Sequence, residues 1–149
     1  MFEYPKNGIC VDAECRGNPG IARFQLYDLS SEKITAIGDK FYSTNNIAEF
    51  LGLVNAIHYC FKNEIDNLFC DSIRAISWVK KKQYRSNLAR NKQAEHTFEK
   101  LNKALTWLKT LEFNSYNDSF INSDGQIVFI NKWLTSEWGE IPADFGNKN

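Results

Sequence analysis

The chain has 149 residues, of which 43% are hydrophobic and 24% are charged. That length and balance fit one folded domain, residues 1–149, with a substantial core, and leave little room for a second. Lysine plus arginine equal aspartate plus glutamate at 18 each, so net charge alone gives no argument for a polyanionic partner.

No apolar run approaches the length that crosses a bilayer, and residues 1–8 lack the basic and apolar regions of a signal peptide. The four cysteines show no CxxC spacing and stand mostly in apolar contexts, which favours reduced thiols. The two histidines are far from any cysteine pair in metal-ligand spacing, so a structural zinc site is not predicted. We therefore expect a cytoplasmic protein without membrane association.

The first predicted strand ends in acids. Residues 9–11 are apolar on both faces, which is typical of a buried central strand. Asp12 and Glu14 then point to the same side, and the turn residues 17–20 follow at once. A charge at the end of a core strand is costly unless it is paired. Its partner could be a cation, a helix N-terminus or rim water.

Further elements follow from apolar periodicity and turn chemistry. In chain order they are strands over 21–29 and 32–42, a helix from 47 to about 62, a strand over 67–72, a helix from 72 to about 82, a helix with apolar residues at 94, 98, 101, 105 and 108, a strand over 126–133, and a closing helix over 142–148. The order β-β-β-α-β-α-α-β-α predicts an α/β fold, a five-stranded mixed sheet flanked by helices.

Four carboxylates occupy suggestive places in this order. Asp12 and Asp71 end predicted strands, while Glu49 and Asp144 fall in the first turns of predicted helices. Parallel strands present ligand sites beyond their carboxyl ends, so neighbouring strands would bring Asp12 and Asp71 together. Carboxylates that converge repel one another and favour a hard divalent cation such as Mg²⁺.

Each acid except Asp12 also has a purely structural interpretation. Asn46 and Glu49 have the spacing of a capping box. Asp71 and Ser72 could cap the helix that follows, and Asp144 could complement a helix dipole. Taken singly, these three acids favour the structural interpretation, and only the whole set in this order favours a site.

The segments VDAECRGNPG, STNNIAEF, FCDS and IPADFG resemble the successive motifs of type 1 ribonuclease H. In that family a strand-ending Asp precedes a Gly-Asn-Pro-Gly turn, and Thr-Asn-Asn precedes a helix that carries a Glu. Asp-Ser closes a later strand, and an Asp on the last helix completes the set. The ending KWLTSEWGEIPADFG is similar to a bacterial branch of the family.

The resemblance implies a ribonuclease H-like fold with two Mg²⁺ ions, for which Mn²⁺ can substitute. Asp12 would bridge both ions, Asp144 would help to hold the ion that activates water, and Glu49 with Asp71 would hold the other. An RNA–DNA hybrid is the implied partner, and no protein partner is implied. The implied substrate-binding residues are Gly17, Asn18, Asn45, Asn46, Ser72, Lys80, Lys81 and Lys82.

Amides at the three asparagines can recognise a 2′-hydroxyl, which both donates and accepts. The lysines belong to the stretch 72–92, which has seven basic residues and no acid. Residues 80–92 fall where many family members have a basic protrusion that grips the hybrid, and the alternative interpretation is a solvated helix end. As turn and cap residues, the asparagines also have a structural role.

The chain departs from the family pattern at three places. Ala13 stands where glycine is common after the first Asp, and Ile73 replaces a polar residue after Asp-Ser. No histidine stands between 133 and 144, where many members carry one that assists proton transfer or product release. Glu137 or Glu140 could serve there instead. The departures bear on turnover more than on the type of reaction.

The sequence therefore predicts an endonuclease that cuts the RNA of RNA–DNA hybrids by two-metal hydrolysis, leaving 5′-phosphate and 3′-hydroxyl ends. One alternative keeps the fold and metals but acts on DNA. The other is an RNA- or hybrid-binding module without catalysis. The asparagine pair at 45–46 favours RNA over DNA, and four acids that repel phosphate would not serve a mere binder.

Overall fold

The computed structural model describes residues 3–146, in which eight strands form one mixed sheet flanked by helices. The elements are β1 Ile9–Gly17, β2 Gly20–Asp28, β3 Lys33–Ile37, β4 Phe41–Ser43, α1 Asn45–Lys62, β5 Asn67–Cys70, α2 Ile73–Lys81, a 3₁₀ turn Lys92–Ala94, α3 Glu95–Leu108, β6 Glu112–Asn114, β7 Ser119–Ile121, β8 Ile127–Lys132 and α4 Thr135–Trp138. The mixed α/β architecture predicted from the sequence is confirmed.

The strand order is β3-β2-β1-β5-β8-β7-β6, with β4 paired to β2. The pairs β1–β5 and β5–β8 are parallel, whereas β1–β2, β2–β3, β2–β4, β6–β7 and β7–β8 are antiparallel. The parallel strands β1, β5 and β8 are therefore adjacent at the centre, and their carboxyl ends share one edge of the sheet.

The sheet has eight strands where five were predicted. The predicted strand 32–42 divides into β3 and β4 around a bend at Gly38, whose N–H donates to the Phe24 carbonyl at 2.8 Å. The hairpin of β6 and β7 was not predicted, because each strand has only three residues and cannot show a clear period. β7 pairs with β8 and β6 pairs with β7, so the two short strands are ordered by the sheet and not by their own sequences.

The closing helix predicted over 142–148 is wrong for the residues that the structure describes. Residues 141–146 form turns, and the short helix α4 lies earlier, at Thr135–Trp138. Ile141 and Ala143 are both buried, with exposures of 1% and 0%, so alternate rather than helically spaced residues face the protein. The end of the predicted helix, 147–148, lies outside the described residues.

Two apolar clusters cover the two faces of the sheet. The larger contains the buried side of α1 together with residues of β1, β2, β5, α2 and α3. The smaller, on the opposite face, is formed by Cys10, Tyr27, Leu29, Phe69, Trp133, Ile141 and Ala143. Trp133 is fully buried, and its indole N–H donates to the Gly139 carbonyl at 2.9 Å. The segment after β8 is thereby folded back over the sheet.

Side-chain caps fix the start of the two helices nearest the strand ends. Thr44 caps α1 by accepting from the Ile47 N–H at 3.2 Å, and Ser72 caps α2 by accepting from the Ala75 N–H at 3.1 Å. Within residues 3–146, no helix combines the length and apolar character needed to cross a membrane. Cys10, Cys15, Cys60 and Cys70 carry free thiols.

Candidate active site

Asp12 and Asp71 are neighbours at the carboxyl edge of the central strands. The parallel pairing of β1 with β5 ends at Val11 and Cys70, which are partners in register. Each acid follows directly after one of these residues, so both reach the same level of the sheet. The adjacency expected from strand order is therefore present. The prediction that Asp12 ends its strand is wrong, because β1 continues to Gly17 through its pairing with β2.

The four predicted acids act on one another electrostatically. Burial raises the pKa of Asp12 to about 8, and the charges of Asp71, Asp144 and Glu49 add to the rise. Burial also raises the pKa of Asp71, with Glu49 contributing and Lys132 opposing. Like charges raise a carboxyl pKa only when they are near. All four acids therefore belong to one region.

Glu49 reaches this region from α1, although not from the first turn that the sequence predicted. The helix begins at Asn45, which makes Glu49 its fifth residue. The predicted capping box is also wrong, because Thr44 caps the helix in place of Asn46. Glu49 Oε1 instead accepts from the side-chain amide of Asn45 at 3.1 Å.

Asp144 lies in a turn of the C-terminal segment, not on a helix. Its N–H donates to the Ile141 carbonyl at 2.9 Å, and its Oδ2 accepts from the Gly146 N–H at 2.8 Å. The buried amide of Gln25 donates to the carbonyls of Ala143 and Asp144, at 2.8 and 3.2 Å. Nothing in the sequence singles out Gln25, because its contact to residues 143–144 arises only in the folded chain.

The donor set fits a hard divalent cation, because it consists of carboxylate oxygens that repel one another. Within residues 3–146, however, no group of three or more His, Cys, Asp or Glu side chains is compact enough to hold a metal ion. Glu49 accepts a hydrogen bond from the side-chain amide of Asn45, and Asp144 accepts one from the Gly146 N–H. Metal binding would compete with these bonds.

The predicted substrate-contacting residues of the first turn and of α1 are joined directly. Asn18 Oδ1 accepts from the Asn45 N–H at 3.0 Å, so the turn is attached to the helix start. Gly17 has a φ of +94°, and a Cβ there would come within 3.0 Å of the Pro19 carbonyl oxygen. Glycine therefore suits this tight turn.

A cleft of about 460 Å³ lies beside this junction. One wall includes Asn18, Thr44 and Asn46, and the other is the loop 83–91. Asn46 is exposed and faces this space, whereas the side chain of Asn45 is engaged with Glu49. Asn18 and Asn45 use their side chains in bonds to other predicted site residues, whereas Asn46 lines the cleft and forms no such bond.

The three predicted lysines lie at the end of α2 and differ in their surroundings. Lys80 pairs with Asp118 at 2.9 Å, and the Lys82 ammonium donates to the Leu111 carbonyl. Lys81 is exposed. Ser72, also predicted to contact substrate, uses its hydroxyl to cap α2.

The loop 83–91 is anchored to the core and is not a helical continuation of α2. Leu88 is buried, and the Tyr84 ring packs against Phe50 with 6.2 Å between centroids. Arg85 lines the cleft from this loop. The sequence placed Arg85 in a basic run but gave no means of separating it from its neighbours.

No histidine lies between residues 133 and 144, and of the two acids predicted to serve there instead, Glu140 acts electrostatically on Asp71. Its charge contributes to the raised pKa of Asp71. Glu137 belongs to α4 and is exposed. The charge of Lys132, at the end of β8, lowers the pKa of Asp71 and so opposes the effect of burial.

No family model matches the sequence. Among solved structures, the chain is similar to the N-terminal RNase H domain of a Mycobacterium tuberculosis protein, present as a fusion with maltose-binding protein. The identity is 18%, over 85% of this chain and 86% of that chain, with a TM-score of 0.46. RNase H1 from the halophilic archaeon Halobacterium salinarum NRC-1 is 24% identical over 66% and 75% of the two chains, with a TM-score of 0.37.

A third similar structure is LC11-RNase H1 in complex with an RNA/DNA hybrid. It is 20% identical over 66% of this chain and 75% of that chain, and its TM-score is 0.35. At these identities, an activity for this chain has to be argued from its own site residues.

Proposed function

We propose that this chain is a single-domain, cytoplasmic endonuclease of the ribonuclease H type that hydrolyses the RNA strand of RNA–DNA hybrids. The observation that carries the proposal is the position of Asp12. It is a largely buried carboxylate at the edge of a parallel strand pair, and three further acids act on it. Such an arrangement is unfavourable by itself and becomes favourable when a divalent cation offsets the repulsion.

The four acids would hold two Mg²⁺ ions, or Mn²⁺ in their place, with Asp12 shared between them. Asp144 would serve one ion, and Glu49 with Asp71 the other. Two such ions, when bound, supply Lewis acidity to the attacking water and to the leaving oxygen of an in-line displacement. The contribution of the chain is to gather the carboxylates at one rim. The 3′ oxygen leaves, so the products carry 5′-phosphate and 3′-hydroxyl ends.

The hybrid would lie along the junction of the first turn and α1. Gly17 lets the main chain of the turn approach a sugar-phosphate closely, and the amides of Asn18, Asn45 and Asn46 offer donors and acceptors to 2′-hydroxyls. The bond from Asn45 to Asn18 supports this placement, because it holds the turn and the helix together. Arg85, on the far wall of the cleft, would meet a phosphate.

The proposal is tested by incubating the purified chain with end-labelled RNA–DNA hybrid, duplex DNA and duplex RNA, each with Mg²⁺ and with a chelator. We expect cleavage of the RNA in the hybrid alone, and only with the metal. Asp12→Asn should abolish cleavage while leaving hybrid binding measurable, which excludes a contaminating nuclease.

Two results would contradict the proposal in different ways. Efficient cleavage of duplex DNA under the same conditions would favour a ribonuclease H-like DNA nuclease. Binding of hybrid without cleavage, by wild type and Asp12→Asn alike, would favour a binding module that lacks catalysis.

A further inference from the structure

The segment that carries Asp144 has little regular structure of its own. Residues 141–146 form turns, in which the bonds from Asp144 N–H to Ile141 and from Gly146 N–H to Asp144 are local. The buried side chains of Ile141 and Ala143 fix one side of this segment. Local bonds of this kind do not set where the segment lies relative to β1, so that position has to come from contacts outside it.

Two side chains of β2 make such contacts on either side of Asp144. Gln25 is only 4% exposed, and its amide donates to the carbonyls of Ala143 at 2.8 Å and Asp144 at 3.2 Å. The guanidinium of Arg23 lies 4.7 Å from the centroid of the Phe145 ring, within the range of a cation–π contact. Arg23 and Gln25 are two residues apart on a strand, so they share one face.

The same two residues are the register partners of acids in β1. Gln25 is opposite Asp12, and Arg23 is opposite Glu14. The Arg23 Nε–H also donates to Glu14 Oε2 at 2.9 Å, which orients the guanidinium. The β1–β2 ladder therefore connects Asp12 with the C-terminal segment that carries Asp144.

An amide is an expensive choice for a buried strand position unless its hydrogen bonds are needed. An apolar side chain of the same size would bury more favourably. The Gln25 amide donates to the carbonyls of Ala143 and Asp144, which belong to the C-terminal segment and lie far from β2 in the sequence.

We propose that Gln25, supported by Arg23, is a positioning residue that holds the Asp144 carboxylate in reach of the metal ions shared with Asp12. This inference rests on the proposed function, because it gives Asp144 a role in metal binding. Partners that orient ligands without touching the metal commonly contribute about 10- to 100-fold to metal affinity or activity. Gln25 touches neither substrate nor metal in this scheme and acts through Asp144.

The test is the substitution Gln25→Met, which preserves length and burial but removes the donor. We expect Mn²⁺ affinity, measured by calorimetric titration of Mn²⁺ into the metal-free full chain without nucleic acid, to fall about tenfold. For the Mg²⁺-dependent cleavage of hybrid, kcat should fall by a similar factor while KM stays within about twofold. The control is Phe120→Leu, which alters the core at β7 and leaves the acids untouched.

A double-substitution cycle separates positioning from general destabilisation. If Gln25 acts through Asp144, Gln25→Met adds little to the loss of Mn²⁺ affinity already caused by Asp144→Asn. Independent, additive losses would overturn the proposal, as would unchanged affinity and kcat in a folded Gln25→Met. Absence of Mn²⁺ binding to wild type would overturn it as well.

The outcomes also distinguish this proposal from the proposed function. Hybrid cleavage by wild type that Gln25→Met leaves unchanged would overturn the positioning role alone. A loss of Mn²⁺ affinity coupled to Asp144, in a chain that cuts no hybrid, would support the positioning role and contradict the proposed function.

Should Gln25→Met fail to fold, Arg23→Leu replaces it in the same measurements. The proposal is supported if Arg23→Leu lowers Mn²⁺ affinity in the wild-type background but not in the Asp144→Asn background. An unchanged affinity in the wild-type background would overturn it.

Discussion

At the level of single residues, Asp12 is the acid whose pKa the fold raises to about 8. Its pKa is raised to about 8 from an ordinary value of 3.8, first by burial and then by the charge of Asp71. Folding therefore takes up a proton on Asp12 between these two pH values, because the unfolded chain is already ionised there. The free energy of unfolding falls as pH rises through this window, with a slope approaching about 1.4 kcal/mol per pH unit.

We accordingly expect Asp12→Asn to remove most of this slope. In urea unfolding at pH 5, 6.5 and 8 with a chelator present, the variant should gain stability relative to wild type as pH rises. Asp71, whose pKa is also raised by burial, contributes a slope of the same sign that remains in the variant. Asp124→Asn, at an exposed turn, is the matched control and should follow wild type. Parallel curves for wild type and Asp12→Asn would contradict the assignment.

A second residue-level prediction concerns Glu140, whose charge reaches Asp71. No histidine lies between residues 133 and 144. If Glu140 transfers protons there instead, Glu140→Gln should slow steady-state turnover about tenfold or more, within the usual range for a proton-transfer group. Hybrid binding should change little, because Glu140 lies on the side of the acids and not in the cleft. The measurement is kcat and KM on labelled hybrid with Mg²⁺.

The neighbouring acid provides the control for that measurement. Glu137→Gln removes the same charge from the exposed surface of α4. It should leave both constants close to wild type. Equal effects of the two substitutions would mean that net charge near the C-terminal segment matters and that Glu140 has no particular role.

At the level of elements, the loop 83–91 separates cations that the sequence presents as one run. Arg85 lines the cleft, whereas Lys80 and Lys82 are bound to Asp118 and to the Leu111 carbonyl. We expect Arg85→Ala to weaken hybrid binding and to lower the slope of log affinity against log salt by about one unit. Binding is measured with a chelator at several salt concentrations. Lys81→Ala, exposed and outside the cleft, should change the slope less, and the reverse order would contradict this assignment.

The same elements show how far sequence reasoning extends. The bounds of α1 and α2 were close to those observed, because apolar periodicity and nearby cap residues both mark them. The closing helix was wrong because two carbonyls of residues 143–144 are taken by Gln25, a residue 118 positions away from Ala143. The residues around 143–144 therefore do not predict that their carbonyls bond to Gln25.

At the level of the whole molecule, the candidate site is a product of topology. Placing Asp12 next to Asp71 required only the expectation that β1 and β5 are parallel neighbours. The burial that raises the pKa of Asp12 and the joining of Asn18 to Asn45 depend on packing between distant segments. These features are therefore seen only in the folded chain.

Discrimination between RNA and DNA is the last property that this arrangement predicts. The exposed Asn46 amide faces the cleft and can donate to and accept from a 2′-hydroxyl, whereas DNA offers only a hydrogen there. A lost contact of this kind costs about 1–3 kcal/mol. Asn46→Ala should therefore lower kcat/KM for hybrid by one to two factors of ten, about the same for every base sequence. Asn63→Ala, at the far end of α1, is the control and should match wild type. The measurement compares hybrids of several sequences, with duplex DNA as the second substrate, and a loss confined to one base sequence would contradict recognition through the sugar.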